Sequence, residues 1–143
     1  MLQTINNGTD TIYVDGTVDL KNQVYLFKII ATPIGSGITN SVSNQIRLVK
    51  DPNLFAPNAF TPNKDNLNDG FNINGQFIAK IEFSIYDRWG SLIYITEKNE
   101  PWDGTQNGKQ MPEATYVWVA RITDQAGQNF TRSGTVILLN KRK

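Results

Sequence analysis

Asn63, Asp65 and Asp69 stand at odd spacing in the polar segment 57–71, and the carbonyl of Leu67 falls in the same series. Calcium takes roughly six to eight oxygens, and a loop that alternates Asp and Asn can offer them from one concave side. Asn63, Asp65, Leu67 and Asp69 are therefore the candidate calcium ligands. Two carboxylates make a weak site, and no bidentate Glu closes the loop as in an EF-hand. The competing use of such a loop is structural, because Asn and Asp side chains cap the amides of their own backbone.

Other acids could be imagined as hydrolytic pairs. Asp87 with Asp103, or Glu97 with Glu100, would have to face each other across a sugar to act as a glycosidase. Nothing in the sequence brings either pair together, so no catalytic residue is assigned and the protein is read as a non-enzyme. The chain has no His and no Cys. This excludes a Ser-His-Asp triad, a Cys nucleophile, a Cys/His zinc site and any disulfide. Three Trp, five Tyr and seven Phe raise a different possibility. A flat row of exposed rings on a sheet would stack on sugars, as in a carbohydrate-binding or adhesive module. Core packing fits better: Trp118 sits between Val117 and Val119, and Trp89 and Trp102 lie in turns, where a ring can plug the end of a sandwich. Asn7-Gly8-Thr9 and Asn129-Phe130-Thr131 match the glycosylation pattern and are read as coincidences. Lys141-Arg142-Lys143 ends the chain either as a solubilising tail or as an electrostatic address.

These residues need a frame. The chain has 143 residues, 39% hydrophobic and 19% charged, which suits an ordinary folded domain rather than a disordered one. A net charge of +1 argues against a nucleic-acid binder that works by neutralising phosphates. No apolar run approaches the ~20 residues of a membrane-spanning helix. The first seven residues lack the basic start and apolar centre of a signal peptide. The chain is then either cytoplasmic or a piece of a longer exported protein, and the missing Cys does not decide between them.

Nearly everything reads as strand and turn. Segments 23–31, 43–49, 81–86, 91–96, 115–123 and 133–139 are rich in β-branched and aromatic residues, several with period-two alternation. Asp87-Arg88-Trp89-Gly90 and Asp124-Gln125-Ala126-Gly127-Gln128 are hairpin turns, and Pro33 to Gly37 is a further turn. Pro101 to Lys109, with its Asp-Gly and Asn-Gly signals, is read as a long loop between sheets. Many short strands at close spacing predict an all-β, immunoglobulin-like antiparallel β-sandwich. Residues 1–51 supply only half a sandwich, which cannot close a core alone. The missing half is expected upstream. Val24, Leu26, Ile29 and Ile46 would be left unpaired, so these strands are expected to pack on the second block, to swap into a homo-oligomer or to be covered by another chain.

The order of motifs in the second block resembles a known family. It runs Pro57-Asn58-Ala59-Phe60-Thr61-Pro62-Asn63, Asp65, Asn68-Asp69, Ile85-Tyr86-Asp87-Arg88-Trp89-Gly90, Trp102-Asp103-Gly104-Thr105, Asn107-Gly108-Lys109, Tyr116 and Gly134-Thr135-Val136. It is similar to the gliding-motility-associated C-terminal domain, the type B sorting domain of the Bacteroidota type IX secretion system. The resemblance covers residues 54–143. The family usually reads Asn-Gly-Asp-Gly in the first loop, and here Lys64 and Asn66 replace the glycines. Tyr25 to Ala31 and Ser41 to Asn44 resemble the last strands of a fibronectin type III-like domain.

The resemblance implies two domains: 1–51, the end of a fibronectin type III-like domain, and 52–143, the sorting domain. It implies a non-enzymatic role, in which the C-terminal domain of a larger cargo is recognised by the outer-membrane translocon and by a membrane-barrel protein of the PorP/SprF kind. The cargo, commonly an adhesin or exported enzyme, would end on the cell surface or outside the cell. Asp103, Lys109, Lys141, Arg142 and Lys143 are the partner-binding residues expected on this reading. No nucleic acid is expected as a partner, and no cofactor apart from the calcium considered above.

Overall fold

The computed structural model describes residues 21–31 and 39–140. Every regular element among them is a strand. The chain divides into two compact units, residues 1–48 and 49–143.

The first unit holds β1 (Val24–Phe27), β2 (Ile30–Ala31), β3 (Ser41–Val42) and β4 (Ile46–Val49), whose last residue opens the second unit. β1 pairs with β4, and β2 pairs antiparallel with β3. The single strand expected over 23–31 is thus broken at Lys28-Ile29. There the Ile29 amide donates to Ser43 Oγ and the Ser43 amide to the Ile29 carbonyl, both at 2.8 Å. Leu26, Ile29 and Ile46 are exposed and Val24 is half-buried. The turn expected at 33–37 lies outside the described residues.

The second unit contains β5 (Leu54–Phe55), β6 (Ala59–Phe60), β7 (Asn74–Gly75), β8 (Ile78–Tyr86), β9 (Leu92–Thr96), β10 (Thr105–Gln106), β11 (Lys109–Gln110), β12 (Ala114–Asp124) and β13 (Asn129–Leu138). Five of them form one sheet in the order β6-β13-β12-β8-β9. All neighbours in it are antiparallel except β6, which runs parallel to β13. β12 shows why the sheet is two-faced. Tyr116, Trp118, Ala120 and Ile122 are buried, whereas Val117, Arg121 and Thr115 between them face out, as a period of two dictates. Register extends the apolar face sideways: Trp118 stands opposite Ile85 and Gly134, Ala120 opposite Phe83, and Ile122 opposite Ile81.

A second layer covers that face. It is built from two short ribbons, β5–β7 and β10–β11, and from the bridge between Phe71 and Trp102. The bridge is closed by reciprocal amide–carbonyl bonds of 2.8 and 2.9 Å. The core between the layers is aromatic. Trp102 packs 5.0 Å from Tyr116 and 5.3 Å from Phe60, and Phe71 meets Phe83 edge-on at 5.9 Å. Each such pair adds about 0.5–1.5 kcal/mol beyond its buried area. The Tyr116 hydroxyl donates to the Pro112 carbonyl at 2.8 Å, the tyrosine-corner contact of immunoglobulin-like sandwiches. The unit is an immunoglobulin-like β-sandwich.

Two expectations change. The segment 101–109 is not a bare loop: β10 and β11 form a ribbon in which Gln106 faces Lys109, turned by Asn107 and Gly108 with φ of 53° and 76°. Paired positive φ values make the tight hairpin turn that Asn-Gly favours. Trp89 does not plug the sandwich. It is 77% exposed at the tip of the β8–β9 hairpin, with the Arg88 guanidinium 4.5 Å from its ring, whereas Trp102 is fully buried.

Candidate functional site

The loop 61–69 holds itself together. The Thr61 amide donates to the Asn68 carbonyl at 2.8 Å and closes its base. Asp69 accepts the Lys64 amide at Oδ1 (2.6 Å) and the Asn66 amide at Oδ2 (2.7 Å). Asp65 accepts the Leu67 amide at Oδ1 (2.9 Å) and Asn63 Nδ2 at Oδ2 (2.8 Å). Asn63 Oδ1 accepts the Asp65 amide at 3.0 Å. The chain turns through positive φ at Lys64, Asn66 and Asn68. Asn63, Asp65, Leu67 and Asp69 are therefore brought together, but as a mutual capping network. All four carboxylate oxygens already receive a donor, and a cation would have to share or displace those bonds. Among the described residues no three His, Cys, Asp or Glu side chains cluster as metal ligands.

The remaining acids have local duties as well. Asp87 Oδ1 accepts the amides of Trp89 (2.9 Å) and Ser91 (2.8 Å) and so fixes the β8–β9 turn. Asp103 Oδ1 accepts both the amide and the hydroxyl of Thr105, at 2.9 and 2.8 Å, at the entrance to β10. Asp103 precedes the β10–β11 ribbon and Lys109 is the first residue of its second strand. A Cβ built on Gly104 would stand 3.1 Å from Pro62 Cγ, so this ribbon lies beside the start of the 61–69 loop. Lys141, Arg142 and Lys143 lie outside the described residues. Burial pushes the phenols of Tyr94 and Tyr116 above the ordinary tyrosine value, and their hydroxyls donate to the Glu100 and Pro112 carbonyls. Neither is set up as an acid–base group.

Sequence reasoning missed the groove of about 570 Å³ along β9, lined by Leu92 to Ile95 and by Pro101, Asp103 and Thr105 to Asn107. The uncharged run Leu92-Ile93-Tyr94-Ile95-Thr96 was the available signal.

The second unit is thus a β-sandwich whose polar loops cap their own turns and whose core holds Phe60, Phe71, Trp102 and Tyr116. The family model described as CHU_C Type IX secretion signal domain matches residues 54–138, and the chain belongs to that family. Comparison with curated proteins gave no match. Membership makes it a sorting domain rather than a catalytic one, implies contact with the type IX machinery, and implies export across the outer membrane to the cell surface or the extracellular space. Among the described residues no helix is long and apolar enough to cross a membrane.

Proposed function

We propose that residues 49–143 act as the address by which a larger cargo protein is delivered to the type IX outer-membrane translocon, in a bacterium of the Bacteroidota. The observation that carries this reading is the coincidence of the family match, 54–138, with one compact unit, 49–143. A sandwich without Cys can fold in the periplasm with no need of an oxidant and present a fixed surface to a receptor. The receptor we favour is a membrane-barrel protein of the PorP/SprF kind. The surface it reads includes the β10–β11 ribbon with Asp103 and Lys109, and the basic residues Lys141, Arg142 and Lys143.

Residues 1–48 would be the end of a fibronectin type III-like domain of that cargo, an adhesin used in gliding. The exposed apolar side chains of Leu26, Ile29 and Ile46 support this, since such residues are normally covered by the rest of a sandwich.

The test is to fuse the whole chain behind a periplasmic reporter in a strain that carries the secretion system. Reporter on the cell surface or in the medium is the expected result. A folded fusion retained in the periplasm refutes the proposal. Removing Lys141 to Lys143 should lower export without altering the fold.

A further inference from the structure

The five-stranded sheet ends in two unlike edges. β6 is two residues long and stands between Pro57 and Pro62. Brevity and flanking proline are the usual protections of an edge. β9, at the other end, is five residues long with no charge, no Gly and no Pro. Outside its ladder with β8, its backbone is met among the described residues by one side chain: Gln106 Nε2 donates to the Leu92 carbonyl at 3.1 Å. Leu92 is 46% and Ile95 52% exposed. The groove of about 570 Å³ runs along this edge, and no Lys or Arg lines it. Its charged lining residue is Asp103, and Glu100 adjoins Pro101. The Tyr94 hydroxyl donates to the Glu100 carbonyl at 3.0 Å, which ties Glu100 to this strand.

We propose that this groove is a docking site for an extended segment of a partner protein, which adds to β9 as a further strand, sets apolar side chains on Leu92 and Ile95, and turns Lys or Arg toward Asp103 and Glu100. An unpaired strand edge is best satisfied by another backbone, because only a peptide offers amides and carbonyls at the repeat of the edge. A lipid surface would leave those groups unpaired, and anionic headgroups would be repelled by the two acids. Charge complementarity then selects the sign of the peptide. The site is a property of the sheet edge, and goes beyond the sorting role although it shares Asp103 with the surface proposed for it.

The experiment titrates the full chain, isotopically labelled for NMR, with three short synthetic peptides. One alternates Val and Lys, one alternates Val and Glu, and one is the Val/Lys peptide with alternate amides N-methylated. The Val/Lys peptide should shift amides of Leu92 to Thr96 and of the 103–107 segment. The Val/Glu peptide should bind about tenfold more weakly, as like charges face each other. The N-methylated peptide should not bind, since it cannot complete a ladder. The pair Glu100→Gln with Asp103→Asn keeps an oxygen to cap Thr105 and should weaken the Val/Lys peptide by about three- to tenfold. Ile95→Lys should weaken it as well. Shifts centred elsewhere, equal binding of the acidic or N-methylated peptide, or no binding of any peptide would overturn the proposal. Failed export together with normal peptide binding would count against the sorting role and leave this site standing.

Discussion

Lys64 sits at φ 63°, a conformation in which its Cβ crowds the backbone, and its amide is tied to Asp69 there. Replacing it by glycine isolates that strain. A left-handed residue other than Gly, Asn or Asp costs about 1–2 kcal/mol. Glycine removes this cost but loosens the unfolded chain by about 0.5–1 kcal/mol. The difference leaves Lys64→Gly more stable by about 0.5–1 kcal/mol. In a domain of under 100 residues that corresponds to a rise in Tm of about 2–8 °C. Thermal and denaturant unfolding followed by tryptophan fluorescence reads it, since Trp102 and Trp118 are buried in this unit. Two controls give the prediction its edge. Asn66→Gly, at φ 66°, should change little, because Asn already tolerates the left-handed region. Lys64→Ala keeps the strained backbone and should bring no gain. If Lys64→Ala stabilises as much as Lys64→Gly, the lysine acts through its charge and the backbone reasoning fails. If neither gains, the loop does not hold this conformation in solution.

Three further outcomes are expected. Gly134→Ala places a methyl group within 2.7 Å of the Trp118 ring and should cost about 1–3 kcal/mol, measured by denaturant unfolding. Trp118→Phe in the same chain should recover part of that loss, which a double-mutant cycle detects as coupling. Because burial raises the Tyr94 and Tyr116 pKa values, their contribution to stability is fully present below the unfolded tyrosine value of 10.0 and is lost as pH rises through the raised folded values; Tyr116→Phe should flatten the alkaline unfolding curve. Added calcium should leave the melting temperature unchanged, since the four carboxylate oxygens of Asp65 and Asp69 are engaged, and a rise of several degrees abolished by Asp69→Asn would refute that view.

The strands that alternate over many residues were legible in the sequence, because period two survives without knowledge of the partner. β8, β9, β12 and β13 are of this kind. β5, β6, β7, β10 and β11 are two residues each, too short to carry a period, and exist only through what they pair with. The same limit explains the tryptophans. Trp89 and Trp102 both lie in polar turn segments, yet one is exposed and the other buried. What separates them is the bridge from Trp102 to Phe71, a contact between distant parts of the chain that no local pattern announces. The motif order showed which family the segments belong to, but not that Phe60, Phe71, Trp102 and Tyr116 converge on one core.

Capping and catalysis draw on the same few side chains, and this accounts for the difficulty of the polar loops. An Asp that stops a turn and an Asp that holds a cation both need an oxygen aimed at positive charge, and amide hydrogens supply that charge as readily as a metal does. In this chain the amides are on hand: Asp65, Asp69, Asp87 and Asp103 each accept at least one from their own turn. These four acids fix their turns while Phe60, Phe71, Trp102 and Tyr116 fill the core, so a partner would be met on the outside of the sandwich. There the uneven treatment of its two edges, one short and flanked by proline and the other long and uncharged, is the feature that shape alone does not require.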